Sequence, residues 1–285
     1  MARFTVWVVK YPLIEAFHEL AEGLVHSLRR LGHVADLVLD VAPPPHAGRL
    51  ILIAAHRLGA DGVPRSALPP GSILYNFEQA SAPETISFAE SAYTAPFAWW
   101  DYSAKNIDVV RCFRGGAVVH CPIGFVPELA QRVPARAVQP EIDVLFYGSL
   151  NARRAATLTA LGERGLRPRA IFNTWGALRD EQIAKAKLVL NHHFYDRGFF
   201  EIARCSYLMA NGVPVVSELG VDPLLEAPYR EGIAFARYED LVDRCVALVR
   251  DDAARGALAR RGYDAIRKQP QEEFVRRALE ETGNP

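Results

Sequence analysis

The stretch Ile142-Asp143-Val144-Leu145-Phe146-Tyr147-Gly148-Ser149-Leu150-Asn151 decides the fold. An almost unbroken apolar run of this length reads as a strand buried on both faces, the pattern of a parallel sheet. Gly148 and Ser149 end it, and Arg153 to Arg164 carries on at helical spacing, so the segment reads strand, tight turn, helix. Downstream the alternation continues. Strands are expected at Arg169 to Phe172, Leu188 to Asn191 and Val213 to Ser217, with helices at Asp180 to Ala186 and Phe200 to Ala210. Three more helices, Tyr238 to Arg250, Ala253 to Arg267 and Glu272 to Glu281, close the chain.

Upstream the same rhythm appears in a separate block. Phe4 to Val9 reads as a strand, and Ile14 to Leu31 as a helix with Phe17, Leu20, Leu24 and Leu28 on one face and Gly32 as its stop. Val34 to Leu39, Leu50 to Ala54 and Ser72 to Tyr75 read as strands, with shorter ones at Val109-Val110 and Ala117 to Val119. Between Val126 and Pro140 the prolines Pro127, Pro134 and Pro140 break the alternation, and residues before proline leave helical geometry, so this is an extended linker. The expected architecture is α/β, two Rossmann-like domains (1–132 and 140–285) whose parallel sheets face each other across a cleft.

Composition excludes several function classes. Thirty-three basic residues balance thirty-three acidic ones, so no global field draws the chain to nucleic acid or to an anionic membrane. The four cysteines are scattered without a paired or zinc-like spacing. No apolar run approaches the ~20 residues of a membrane span, and the first residues read as a strand rather than as a signal peptide. The expected location is the cytoplasm, with no integral membrane segment and no nucleic-acid partner.

Ligands of open parallel sheets bind beyond the carboxyl ends of the strands. In the second block those ends carry Gly148-Ser149-Leu150-Asn151 with Arg153, Asn173-Thr174-Trp175, Asn191-His192-His193-Phe194-Tyr195, and Ser217-Glu218. Glycine and a helix start beside a strand end suit a phosphate, although Asn151 or Ser149 also suits a helix cap. Trp175 suits a base or an apolar surface. His192 and His193 are neighbours in an extended chain and point to opposite sides. Glu201 and Arg204, three apart at a helix start, suit hydroxyls and a diphosphate, or a simple intrahelical ion pair.

The phrase Met209-Ala210-Asn211-Gly212-Val213-Pro214-Val215-Val216-Ser217, followed by Glu231-Gly232 and Tyr238-Glu239-Asp240-Leu241, resembles the donor-binding half of GT-B glycosyltransferases. The likeness spans roughly residues 140 to 265 and is greatest to the family 4 and spore-protein-like types. It implies glycosyl transfer from a nucleotide-diphosphate sugar, held by Gly148, Ser149, Asn151, Arg153, Asn173, Trp175, His192, Tyr195, Glu201, Arg204 and Glu218. The acceptor belongs to the first domain, and neither a metal nor another cofactor is required. Family 4 enzymes carry two glutamates eight apart; Phe199 and Tyr207 stand at those positions here, with Glu201 offset. A general base is expected at a strand end of the first domain, where Glu78, His56 and Asp101 are the candidates and Glu78 the first choice. A sugar-nucleotide epimerase and a non-catalytic nucleotide-sugar-binding protein are the alternative readings.

Overall fold

The computed structural model of the protein describes residues 1–9, 15–40, 42, 45, 48–53, 55, 58, 63–80, 92, 94–113, 116–135 and 139–283. The chain divides into two compact units, residues 1–128 with 270–285, and residues 129–269.

In the first unit β1 (Arg3–Val9), α1 (Glu15–Arg30), β2 (Val34–Asp40), β3 (Arg49–Ile53), β4 (Ile73–Asn76), β5 (Ala98–Asp101), α2 (Ala104–Arg111) and β6 (Val118–His120) follow one another. The strands form a six-stranded parallel sheet in the order β2-β1-β3-β4-β5-β6. Its two faces are covered separately. Phe4, Val6, Ile51, Ile73 and Tyr75 face Phe17, Leu24 and Leu28 of α1, while Trp7, Leu52, Leu74 and Trp99 look the other way, toward Leu58, Leu68 and Val110.

Two sequence expectations change here. Val109-Val110 lies in α2, not in a strand: the Ser103 side chain accepts from the Asn106 amide and caps a helix whose Ile107 and Val110 are buried. Two adjacent β-branched residues are a weak strand signal when a serine cap stands in front of them. The stretch around Trp99 and Trp100, where no strand was expected, is the buried strand β5, and both indoles are fully enclosed.

In the second unit β7 (Ile142–Tyr147), α3 (Ala152–Glu163), β8 (Pro168–Ile171), α4 (Gly176–Ala184), β9 (Ala186–Asn191), α5 (Ile202–Ala210), β10 (Val215–Glu218), α6 (Pro223–Glu226), β11 (Ala234–Ala236), α7 (Leu241–Arg250) and α8 (Asp252–Arg267) alternate. They build a five-stranded parallel sheet ordered β11-β10-β9-β7-β8. All six residues of β7 are buried, as the apolar run requires. At the amino end of β7, Asp143 pairs with Arg167 and with Lys187 at 2.9 Å. Burial works against the Asp143 anion, yet these partners hold its carboxyl well below the usual range.

The last helix, α9 (Gln271–Thr282), was expected with the second domain, but it packs in the first unit. Val275, Ala278 and Leu279 join the cluster of Phe17, Leu24 and Leu28, and the Trp100 indole N–H donates to Thr282 Oγ1 at 2.7 Å. Gln271 fixes its start, accepting from the Gly124 amide at 2.6 Å and donating to the Pro122 carbonyl at 3.0 Å. An apolar helix face identifies itself in a sequence; which sheet covers it does not. Leu279→Ala is therefore expected to lower the stability of the first unit by about 2–5 kcal/mol. Urea denaturation followed by the fluorescence of Trp7, Trp99 and Trp100 would measure this loss.

Candidate functional site

β7, β9 and β10 are neighbours in the second sheet, so their carboxyl ends lie side by side. There the side chains form one connected network. Arg153, in the first turn of α3, holds Glu218 at the end of β10 with both Nη atoms, and its Nη1 reaches Oε2 at 2.7 Å. The same guanidinium lies 4.0 Å over the Tyr238 ring, and its Nε meets the exposed Asp196 at 2.9 Å. Glu218 Oε2 also accepts the backbone N–H of His193 at 3.1 Å.

Arg154 is the second arm. It is almost wholly buried; Nε donates to the His192 carbonyl at 3.0 Å, Nη1 to the Ser149 carbonyl at 2.8 Å, and Nη2 meets Glu201 at 3.1 Å. Glu201 then bridges to Arg204 Nη2 at 2.7 Å, and Arg204 Nη1 donates to Asn191 Oδ1 at 2.8 Å. Asn191 in turn donates to Ser217 Oγ at 3.0 Å. Arg153, Arg154 and Arg204 thus face Glu201, Glu218 and the exposed Asp196, so the buried part of the network holds three guanidinium groups and two carboxylates.

Burial and charge set the protonation states. Desolvation lowers Arg154 to about 10, which still leaves it a cation at neutral pH. Burial pushes the Glu218 carboxyl up, but the Arg153 hydrogen bond and charge more than offset this and hold it below its ordinary value. His192 is enclosed by Arg153, Thr157, Glu218, the His193 carbonyl and the Tyr238 ring, and burial drives its pKa down to about 4. Burial lowers His193 as well. Near pH 7 Arg154 and Glu218 are therefore charged and the two imidazoles neutral.

The sequence candidates divide into those the network contains and those it does not. Arg153, His192, Glu201, Arg204 and Glu218 belong to it, and Ser149 contributes its carbonyl. Asn151 caps α3, accepting from the Arg154 amide at 2.9 Å, and its Nδ2 donates to the Phe194 carbonyl at 2.8 Å. The Gly148 amide, a natural phosphate donor by its place in the turn, donates instead to the Ile171 carbonyl at 3.1 Å. What Gly148 contributes is space. With φ at 136°, a Cβ there would stand 3.2 Å from Arg204 Nη2. Asn173 and Trp175 follow the edge strand β8 and bond to each other at 3.2 Å. Tyr195 is exposed and packs edge-on against Phe194 at 5.1 Å.

Sequence reading did not select three members of the network as donor-site residues, although it offered Arg154 beside Arg153 and Arg204 as positive charge for the departing diphosphate. Tyr238 follows β11, whose short run Ala234-Phe235-Ala236 holds no β-branched residue to mark it as a strand. Arg154 is the more deeply buried of the two, but neighbours in a helix cannot be ranked from spacing. His193 is the other imidazole of the network, and only its neighbour was selected.

In the first unit Asp101 is fully enclosed. Its carboxylate accepts from Asn76 Nδ2 at 2.8 Å, Trp99 Nε1 at 3.0 Å, the Ser103 amide at 3.0 Å and Asn106 Nδ2 at 2.9 Å. Burial raises its pKa to about 7 against these four donors. Asn76 and Asn106 each also donate to the Glu78 carbonyl at 2.8 Å, and Asn76 Oδ1 accepts the Glu78 amide at 3.1 Å. The half-buried Glu78 therefore sits on a turn fastened to Asp101. His56 lies outside the described residues.

No protein-family model matches the sequence. It is 30% identical over 181 residues to "Uncharacterized protein L140" of Acanthamoeba polyphaga mimivirus, covering 60% of this chain and 57% of that protein. It is 32% identical over 109 residues to "Uncharacterized protein L138" of the same virus, covering 37% and 12%. The chain therefore spans little more than half of one relative and a small part of the other. Solved structures with a similar fold include WaaG, a glycosyltransferase involved in lipopolysaccharide biosynthesis, at 11% identity, full coverage of both chains and a TM-score of 0.64. Another is the phage T4 β-glucosyltransferase in complex with its UDP-glucose substrate, at 11% identity, 97% and 99% coverage and a TM-score of 0.60. Sucrose-phosphate synthase from Thermosynechococcus elongatus is 11% identical, with 98% and 97% coverage and a TM-score of 0.64. The fold is that of GT-B glycosyltransferases. Among the described residues, no helix is long and apolar enough to cross a membrane.

His192 gives the site a pH signature. Its folded pKa of about 4 lies below the unfolded value of ~6.5, so the unfolded chain binds the proton more tightly. The stability this group contributes is complete above pH 6.5 and is lost as pH falls toward 4. Acidification from pH 7 to 5 is expected to cost about 2 kcal/mol through this residue. Chemical denaturation of the native chain and of His192→Gln at both pH values checks it, the variant giving the shallower dependence.

Proposed function

We propose that the protein is a glycosyltransferase using a nucleotide-diphosphate sugar, of the family 4 or spore-protein-like type, with its donor site at the carboxyl ends of β7, β9 and β10. The observation that carries this reading is a mostly buried network of three guanidinium groups with two buried carboxylates, its third carboxylate Asp196 standing in solvent, at the place where parallel sheets bind ligands. The GT-B neighbours support the reaction class, and one of them is described with UDP-glucose as its substrate.

The chemistry follows from these positions. The anomeric C–O bond breaks, its electron pair passing to the departing diphosphate oxygen, where Arg204 and Arg154 stabilise the charge in a low-dielectric setting. An acceptor hydroxyl forms the new bond to the anomeric carbon and gives its proton to a base. Glu78 of the first unit takes that role. Asp101, surrounded by four donors, acts by holding the Glu78 turn instead of meeting substrate. Three guanidinium groups supply the positive charge that a metal would otherwise bring, so the reaction proceeds without one. The protein works in the cytoplasm.

Phe199 and Tyr207, at the positions of the family 4 glutamates, are both built into the unit: Phe199 is buried, and the Tyr207 hydroxyl donates to Asp180 at 2.7 Å. Glu201 then remains as the carboxylate for the donor's hydroxyls, and the stereochemistry of transfer need not follow that family.

Thermal denaturation with UDP, GDP, ADP, CMP and dTDP tests the reading. One of them at ~100 times its Kd stabilises the chain by about 2.7 kcal/mol. Arg204→Ala is expected to weaken that nucleotide at least tenfold, whereas Glu78→Gln leaves binding intact and loses turnover of the matching nucleotide sugar. No shift with any nucleotide would remove the donor site. Interconversion of the free nucleotide sugar, without transfer or hydrolysis, would make the protein an epimerase.

A further inference from the structure

Among the described residues, His193 is a buried member of the network whose side chain has no hydrogen bond. Its imidazole is buried to 1% exposure, and neither Nδ1 nor Nε2 has a partner among the described residues. Its backbone, by contrast, is fully engaged. The amide donates to Glu218 Oε2 at 3.1 Å, and the carbonyl receives Arg153 Nη1 at 3.4 Å. The charges of Glu201 and Glu218 on one hand, and of Arg153 and Arg154 on the other, act on the ring. Buried polar atoms are almost always paired, and one left unpaired at a ligand site points to a partner that arrives with the ligand.

We propose that His193 contacts a hydroxyl of the sugar carried by the bound donor. This inference rests on the donor-site reading above and adds to it the residue that reads the sugar. A neutral imidazole offers one donor and one acceptor, and a hydroxyl does the same. A phosphate oxygen only accepts and is best met by a cation; burial disfavours the imidazolium here, and three guanidinium groups already serve that purpose. The ring therefore complements the polyol part of a nucleotide sugar, not its diphosphate.

Gly198 covers the ring. A side chain at that position would stand 2.8 Å from His193 Cβ and Cγ, so glycine lets the main chain lie flat against the imidazole. The Gly198 carbonyl accepts the Val221 amide at 3.1 Å, which ties this segment to the loop after β10. A sugar reaching His193 takes the place of Gly198 against the ring.

Titration calorimetry of the full chain with UDP and with UDP-glucose, or with the equivalent pair for the nucleotide that the denaturation panel selects, tests the proposal. His193→Phe is expected to raise the ratio of the nucleotide-sugar Kd to the nucleotide Kd at least fivefold, with the nucleotide Kd unchanged within twofold. His193→Gln, which retains a donor and an acceptor, restores part of the ratio and covers the case in which the phenylalanine variant does not fold. An unchanged ratio in both variants, or equal weakening of both ligands, overturns the role of His193 while leaving the donor site standing. A native chain that binds none of the nucleotides overturns both readings.

Discussion

A carboxylate taken out of water must be paired, and Glu218 is paired twice over: by the two Nη atoms of Arg153 and by the His193 amide. Leaving such a group alone would cost several kcal/mol, and an unpaired buried arginine is no better. The pairing therefore fixes three segments relative to one another, the start of α3, the end of β9 and the end of β10. The rest of the network is built on that frame. Arg154 spans the His192 and Ser149 carbonyls, and Glu201 joins it to Arg204. Buried ion pairs are weak evidence for stability as such. Their effect here is geometric, since each guanidinium is held by partners on more than one of its nitrogens.

The sheets were legible because parallel strands buried on both faces need unbroken apolar runs, as at Phe4 to Val9 and Ile142 to Tyr147. What escaped was short or context-dependent. β5 and β11 hold no β-branched residue, unlike the equally short β4 and β6, and Val109-Val110 belongs to a helix because Ser103 caps it. The placement of α9 was beyond reach for a different reason. Its apolar face would suit any sheet with a bare helix-sized groove, and the choice of α1 and β1 as partners is made by residues more than two hundred positions away.

The site shows the same division. Spacing at a helix start found Glu201 and Arg204. Strand-end logic found Glu218 and His192, since that rule depends only on where apolar runs stop. It could not distinguish a turn residue that meets a ligand from one that completes the sheet, and Gly148, whose amide belongs to the ladder, shows the difference. Nor could it choose between His192 and His193. Alternation says that they point to opposite sides but not which side holds Arg153, Thr157 and Tyr238. Asn173 and Trp175 lie past an edge strand, and sheet order, which put them there, cannot be read from a single sequence.

The two imidazoles share a strand end and a depressed pKa, but they differ in what burial leaves undone. His192 has partners at both ring nitrogens, so its desolvation is repaid within the fold and its contribution is structural. His193 has none, and the fold retains it despite the penalty of an unsatisfied polar group. An apolar ring in its place would relieve that penalty while filling nearly the same volume. Stability alone therefore offers no reason for a histidine at 193, against Gly198. A residue that weakens the protein where it stands, in a network that unites three adjacent strand ends, makes sense as one held in readiness for a bound molecule.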